Sequence, residues 1–384
     1  MTDFEFRTVP HIIVKDGAAA EPGPTLDALG RPKRICVVTD AGVRAAGLLN
    51  AHVAGLEAAG VKVEVYDKVV ADPPEAVVLE AGEAAKAFGA DAVVGFGGGS
   101  PMDTSKIVAL LAGSDQPLAN MYGVNNAKGP RLPLALFPTT SGTGSEVTPI
   151  AIVTTGETTK MGVVAPVLYA DVAVLDPELT VGLPAHVTAA TGVDAMVHAL
   201  EAYSTKLKKN PISDALALRA LTLLHGAVER ACTDGSNRKA RADMALGAML
   251  AGQAFANAPC AGVHALAYPL GGIFHVPHGL SNALVLPHVL KFNTPEAAHL
   301  YAELGAHLLP GLKGSDEARA NALIEELERI CVAVKLERRL TDLGVNHNDL
   351  PRMAEDAMLQ TRLLVNNPRE ITQDDALAIY QAAL

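Results

Sequence analysis

The chain has 384 residues, 49% hydrophobic and 19% charged, with a formal net charge of −11. That length exceeds what one hydrophobic core usually organises, so two domains are expected, and the ordinary composition excludes a disordered or fibrous chain. The acidic balance argues against a nucleic-acid partner, which needs a basic footprint.

The opening residues, MTDFEFRTVPHIIVKDG, lack the basic-then-apolar pattern of a secretory leader. Cys36, Cys232, Cys260 and Cys331 form no CxxC pair, so reduced thiols in a cytoplasmic protein are expected. β-Branched runs then alternate with Ala-rich helical segments. Strands are predicted at Arg34–Thr39, Val61–Tyr66, Asp91–Phe96 and Leu132–Phe137, with helices at Val43–Ala59 and Glu75–Phe88. This order predicts an α/β N-terminal domain with a mostly parallel, Rossmann-like sheet. Ile150–Thr155 and Val172–Leu175 read as hairpin or edge strands.

After Pro184 the pattern becomes helical throughout, with segments at Ala185–Tyr203, Ile212–Cys232, Asn237–Ala256, Gly279–Phe292, Ala318–Cys331 and Thr372–Ala383. The division expected is residues 1–182 as a dinucleotide-binding α/β domain and residues 183–384 as an all-α, metal-binding domain. From Met244 to Leu290 there is no Asp, Glu, Lys or Arg. Four prolines and four histidines in that stretch would be costly in lipid, so it reads as buried protein interior and no membrane association is expected.

Gly95–Lys106 (GFGGGSPMDTSK) follows an apolar strand and opens a helix. Glycines let a phosphate approach the backbone, and the helix start offers free N–H groups and a positive dipole end. The spacing is not GxGxxG, and a glycine-rich turn without ligand fits the loop equally well. Asp40 ends the first strand of the α/β unit, where a carboxylate can accept from the ribose hydroxyls of NAD and would repel the 2′-phosphate of NADP. A second polar loop, Pro138–Pro149 (PTTSGTGSEVTP), also follows an apolar strand. Two such loops at neighbouring strand ends frame a ligand crevice.

Asp194 and His198 lie four apart in a helical segment, on one face and about one turn apart. His264 and His278 fall in the uncharged stretch GVHALAYPLGGIFHVPHG. Two histidines and a buried carboxylate–imidazole pair would be costly unless compensated, and one bound cation explains all four. His275 and His288 are rival ligands. His275 reads as an exposed turn residue and His288 as lying on another helix face. One Asp with three His suits Fe(II) or Zn(II) better than Mg(II) or Ca(II).

With GGGSPMDTSK, PTTSGTGSEVTP, TGVDAMVHALEAY and HALAYPLGGIFHVPHG in this order, nearly the whole chain resembles the iron-containing (group III) alcohol dehydrogenases of the dehydroquinate synthase-like fold. The resemblance implies a metal at Asp194, His198, His264 and His278. It also implies cofactor contacts at Asp40, Gly98, Gly99, Ser100, Thr139, Thr140, Thr148, Lys160 and Leu179, and Asp72 and Asp103 are counted with them. Asp72 stands where the family often carries Asn, and Tyr268 where many members carry a second His. Tyr268 looks like the hydroxyacid–oxoacid transhydrogenase branch, which makes that activity the alternative. The resemblance further implies a homodimer or larger homo-oligomer and small alcohols, diols or aldehydes as substrates. Direct hydride transfer between NAD(H), with NADP possible, and a metal-held alcohol or aldehyde is the expected chemistry, with Tyr268 and His275 as candidate catalytic residues on a proton path. A lyase or synthase and a non-catalytic binding module are the remaining rivals.

Overall fold

β-Branched runs too apolar to face water form a parallel sheet in the computed structural model, which describes residues 3–156 and 159–384. The strands are β1 (Ile12–Val14), β2 (Arg34–Asp40), β3 (Lys62–Val69), β4 (Ala92–Gly97), β5 (Gly123–Val124), β6 (Leu134–Pro138), β7 (Ile150–Thr155), β8 (Thr159–Val164) and β9 (Val172–Leu175). Six of them form one sheet in the order β1-β9-β6-β4-β2-β3, every pair parallel. Every residue of β4, β6 and β9 is buried, the continuous apolar run that a sheet covered on both faces requires. β5, β8 and β7 make a second, small sheet.

Helices α1 (Gly23–Ala28), α2 (Ala41–Ala45), α3 (Asn50–Ala58), α4 (Glu75–Phe88) and α5 (Gly99–Gly113) accompany these strands. Val94, Phe96 and Phe137 pack with Leu49 and with Leu56 of α3. A separate cluster joins Val78 of α4, Ile107 and Leu110 of α5, and Val153 and Val163 of the small sheet. The chain passes from β2 outward to β3, then returns on the other side of β2 to make β4. Such a reversal opens a crevice at the carboxyl ends of β2 and β4, the usual ligand position in open α/β sheets.

The mostly parallel α/β sheet followed by a helical region is as the sequence predicts, with three local differences. Val172–Leu175 is neither hairpin nor edge but an inner parallel strand between β6 and β1. The sequence reading missed its partner Ile12–Val14, which is too short to show a period. The helix expected over Val43–Ala59 is two short helices, broken at Gly47, whose φ of 72° no helix accommodates. Ile150–Thr155, by contrast, is a hairpin strand as the sequence suggests, paired antiparallel with Thr159–Val164.

The helical region comprises α6 (Ala185–Ser204), α7 (Pro211–Thr233), α8 (Arg238–Asn257), α9 (Gly262–Phe274), α10 (His278–Leu308), α11 (Asp316–Ala333), α12 (Leu350–Met358), α13 (Thr361–Leu364) and α14 (Gln373–Ala383). α6 is buried without interruption from Gly192 to Ser204 and packs on α7, α8 and α10. The sequence expectation ended this helix at Phe292, ahead of Pro295, which lacks an N–H. The helix instead continues through Pro287 and Pro295 to Leu308, with Asn293, Ala297, Tyr301 and Leu304 buried along it. Thr8–Gly182 forms one compact unit, and Leu183–Leu384 with the residues up to Arg7 forms the other. The Arg7 backbone exchanges two hydrogen bonds with the Asn257 side chain, at 2.7 and 2.8 Å, which fixes that N-terminal segment within the helical unit. No helix among the described residues is long and apolar enough to cross a membrane.

Candidate metal centre and dinucleotide loops

Three helices of the second unit bring the predicted ligands together. α6 supplies Asp194 and His198, α9 supplies His264 as its third residue, and α10 supplies His278 as its first. α10 begins hard against α6: a Cβ on Gly279 would lie 2.3 Å from the Ala190 carbonyl and 3.2 Å from Asp194 Cβ, so only glycine allows His278 to reach the group. One donor atom from each of Asp194, His198, His264 and His278 falls within 4.8 Å of all the others.

Nε2 of His264 is 3.0 Å from Nε2 of His198, and Asp194 Oδ1 is 3.7 Å from His278 Nε2 and 4.0 Å from His264 Nε2. Ligands about 2.05 Å from a tetrahedral ion stand about 3.4 Å apart, so these separations bracket what a small divalent cation needs. The donor set fits the divalent ion that the resemblance implies. Asp194, His198 and His264 are buried, and His278 is partly exposed. Burial alone would raise the Asp194 carboxyl, yet His198, His278, His264 and the Asn282 amide together hold it below the ordinary carboxylate range. Burial, with His198 and His278 alongside, pushes His264 well below the usual imidazole value, so it remains neutral and able to donate a lone pair.

Of the two remaining predictions here, the half-buried Tyr268 ring lies 6.1 Å from the His278 ring. His275 is exposed, in left-handed conformation (φ 56°) at the end of α9, and stands outside the four-residue group. His288 is also outside it.

In the first unit, the ends of β2, β4 and β6 stand side by side. Asp40 caps α2, its Oδ1 accepting from Val43 N at 2.9 Å. A Cβ on Gly97 (φ 154°) would meet the Pro101 ring at 2.6 Å and Asp40 Oδ2 at 3.4 Å, so the second carboxylate oxygen faces the glycine loop. Gly98 is the N-cap of α5 and Gly99 its first residue, with Ser100 next. That helix has no side-chain cap and no acidic residue in its first turn, which leaves its N–H groups and dipole available to an anion. Thr139 N donates to Gly97 O at 2.9 Å and joins the second polar loop, with Thr140, to the first. Leu179 is buried in a short 3₁₀ turn after β9.

The other predicted residues are engaged within the fold. Lys160 Nζ pairs with Asp72 Oδ1 at 2.7 Å. Asp103 accepts from Ser145 Oγ at 2.6 Å and Ile152 N at 2.9 Å, so one oxygen ties α5 to the second loop and the other ties it to β7. Thr148 Oγ1 lies 3.3 Å from Lys106 Nζ.

Sequence reasoning missed four residues. Glu201 accepts from His264 Nδ1 and from Val263 N, both at 2.6 Å. Burial pushes its carboxyl up to about 7 against the backbone N–H groups of Ala261 and Val263, and the two close N–H donors mark it as the acceptor. Asn282 Nδ2 donates to Asp194 Oδ1 at 2.6 Å. Lys106 of α5 and Glu146 of the second loop are both buried. Glu201 was legible, seven residues after Asp194 and three after His198 on the same helix face. Asn282 repeats that pattern four residues after His278.

Comparison with known proteins gives a consistent picture. The family model for iron-containing alcohol dehydrogenase matches residues 10–177, and that for the C-terminal part of the Fe-containing alcohol dehydrogenase family matches residues 188–384. The chain is similar to long-chain-alcohol dehydrogenase 1 of Geobacillus thermodenitrificans, 42% identical over 375 residues, covering 96% of this chain and 93% of that one. A crystal structure of 1,3-propanediol oxidoreductase superposes with a TM-score of 0.96 at 34% identity, with both chains fully covered. Sulfoacetaldehyde reductase from Bifidobacterium kashiwanohense, solved in complex with NAD+, superposes with a TM-score of 0.89 at 27% identity, covering 100% of this chain and 99% of that one.

Proposed function

We propose that Asp194, His198, His264 and His278 hold the divalent ion of this chain, which belongs to the iron-containing alcohol dehydrogenase family, and that the ion is Fe(II). The chain is an NAD-linked, metal-dependent oxidoreductase that moves hydride between nicotinamide and a small alcohol or aldehyde. The observation carrying the ligand assignment is the convergence of four donors from three helices within 4.8 Å. Zn(II) suits the same donors and is the competing ion.

When bound, the ion supplies Lewis acidity, easing loss of the substrate's hydroxyl proton in oxidation and polarising its carbonyl in reduction. The protein contributes the rest. Asp194 brings the one negative charge of the ligand set, and burial keeps His264 neutral. His264 and His278 lie in the uncharged stretch Met244–Leu290, and Phe255 of that stretch stacks on the His198 ring at 4.4 Å, apolar surroundings that limit water. Tyr268, beside His278, and the exposed His275 carry the substrate proton to and from solvent.

For the cofactor, Gly98, Gly99 and Ser100 at the start of α5 take the pyrophosphate, with Thr139 and Thr140 from the adjoining loop. Asp40 takes the ribose hydroxyls and favours NAD over NADP. Thr148, Leu179 and the Asp72–Lys160 pair line the remainder, while Asp103 acts by holding the second loop. The unit of residues 8–182 thus carries the dinucleotide and residues 183–384 the metal. The substrates are small primary alcohols, diols or their aldehydes. The transhydrogenase alternative suggested by Tyr268 is not favoured, since the similar proteins are an alcohol dehydrogenase, a propanediol oxidoreductase and a sulfoacetaldehyde reductase. Four free thiols support a cytoplasmic protein, and a homodimer or larger homo-oligomer is proposed from the family resemblance.

The test is chelation of the purified protein and anaerobic return of Fe(II) or Zn(II), assayed over an alcohol and aldehyde panel with NAD(H) and NADP(H). Activity falls on chelation and returns best with Fe(II). Asp194→Ala and His264→Ala each lose metal and at least on the order of 100-fold in turnover. Retained metal with near-normal turnover in either variant sinks the assignment.

A further inference from the structure

We propose that Glu201 is the positioning residue of the metal centre, its carboxylate holding His264 in the tautomer protonated at Nδ1, so that a bare Nε2 faces Asp194, His198 and His278. The proposal rests on the ligand assignment above.

The argument begins with the helix. α6 carries Asp194, His198 and Glu201 at intervals of four and three residues, so one rigid element supplies two ligands and the partner of a third. Glu201 is 3% exposed, and each of its oxygens is committed: Oε2 accepts from His264 Nδ1 and Oε1 from Val263 N, both at 2.6 Å. Val263 lies in the first turn of α9, whose N-cap, Ala261, offers no side-chain acceptor. One carboxylate therefore satisfies an orphan N–H at the start of α9 and orients the third residue of that helix.

An imidazole that donates from Nδ1 keeps its lone pair on Nε2, the form a cation can bind there. His264 Nε2 points at the ligand group, 3.0 Å from His198 Nε2. Glu201, Cys260 and His264 are also mutually close enough to suggest a second ion on the Nδ1 side. The 2.6 Å separation of Oε2 and Nδ1 decides against it: ligands about 2.1 Å from an ion stand about 3 Å apart even at a right angle. That contact is a hydrogen bond.

Glutamine has the shape of glutamate but only one acceptor atom at its end. With its oxygen on Val263 N, the amide NH2 faces His264 Nδ1 and forces the proton onto Nε2. With its oxygen on His264, the NH2 opposes the Val263 N–H. Glu201→Gln therefore separates control of the tautomer from simple filling of space.

Two measurements test this. Metal-free protein labelled with 15N-histidine, with His264 assigned by its loss in His264→Asn, reports the ring tautomer by NMR. Wild type shows His264 protonated at Nδ1, and Glu201→Gln moves a large share of the proton to Nε2. Competition against a chromophoric chelator, with Co(II) as the probe, shows binding about 10–100-fold weaker in Glu201→Gln than in wild type. A metal-free wild type with His264 protonated at Nε2 overturns the proposal, as does a Co(II) affinity within twofold of wild type in a folded Glu201→Gln. If that variant does not fold, the wild-type tautomer decides alone. The underlying ligand assignment fails separately: wild-type protein that takes up no Co(II) refutes it whatever the tautomer.

Discussion

The ammonium of Lys106, fully buried in α5, lies 2.7 Å from the hydroxyl of Ser145 in the second polar loop. It also donates to Ile150 O at 2.6 Å and to Thr148 Oγ1 at 3.3 Å, with Asp103 3.6 Å away. Burial lowers its pKa, while Asp103 and Glu146 pull it upward. The helix that begins at the glycine loop is thus bolted to the neighbouring loop by one cation. Lys106→Met keeps the stem and removes the donors, leaving Asp103 and Ser145 without their buried partner. The expected result is a loss of about 3 kcal/mol in denaturant unfolding, with a several-fold rise in KM for NAD and a smaller change in kcat. Unchanged stability with unchanged KM would show that the bolt carries no load.

Asp40 has two oxygens with two tasks. Oδ1 caps α2 through Val43 N, and Oδ2 faces Gly97. Serine keeps a capping oxygen but removes the charge that would repel a 2′-phosphate. Asp40→Ser is expected to hold stability within about 1 kcal/mol while lowering kcat/KM for NAD and raising it for NADP. Steady-state kinetics with both cofactors decide it. An unchanged NAD-to-NADP ratio would remove Asp40 from cofactor choice.

How far the sequence reaches differs between the two halves of the candidate centre. Asp194 and His198 are legible because helical spacing alone puts them on one face. His264 and His278 are not brought to them by any local rule. They stood out because an uncharged interior makes histidines costly, and what places them is the tight approach of α10 to α6 at Gly279. Lys106 and Glu201 were passed over for the opposite reason: charged residues in helices read as solvated surface, and only the fold shows each with buried acceptors or donors. The parallel sheet was legible because β4 and β6 are apolar throughout. β1 and the inner position of β9 were not, because strand order depends on crossovers that leave no local period. The length of α10 escaped for a similar reason, since burial along its C-terminal half outweighs the proline at position 295.

His52 is buried against Phe96 and Phe137, with ring centroids 5.4 and 4.6 Å away, and its Nδ1 is 2.9 Å from the Ala19 carbonyl. Burial lowers its pKa from 6.5 to about 4, only partly offset by that hydrogen bond. The sign follows from proton counting: between pH 6.5 and about 4 the unfolded chain binds this proton and the folded one does not, so acid favours unfolding. At about 1.4 kcal/mol per pH unit, the loss over that window is roughly 3 kcal/mol, and it ends once the folded state also takes up the proton. Asn in place of His52 can still donate to Ala19 O but does not titrate. Urea unfolding at several pH values from 7.5 to about 4 should therefore show His52→Asn with a shallower decline than wild type, the difference approaching one proton in slope below pH 6. Comparing the two proteins cancels every other titrating group. Parallel curves would mean that His52 already ionises in the folded core.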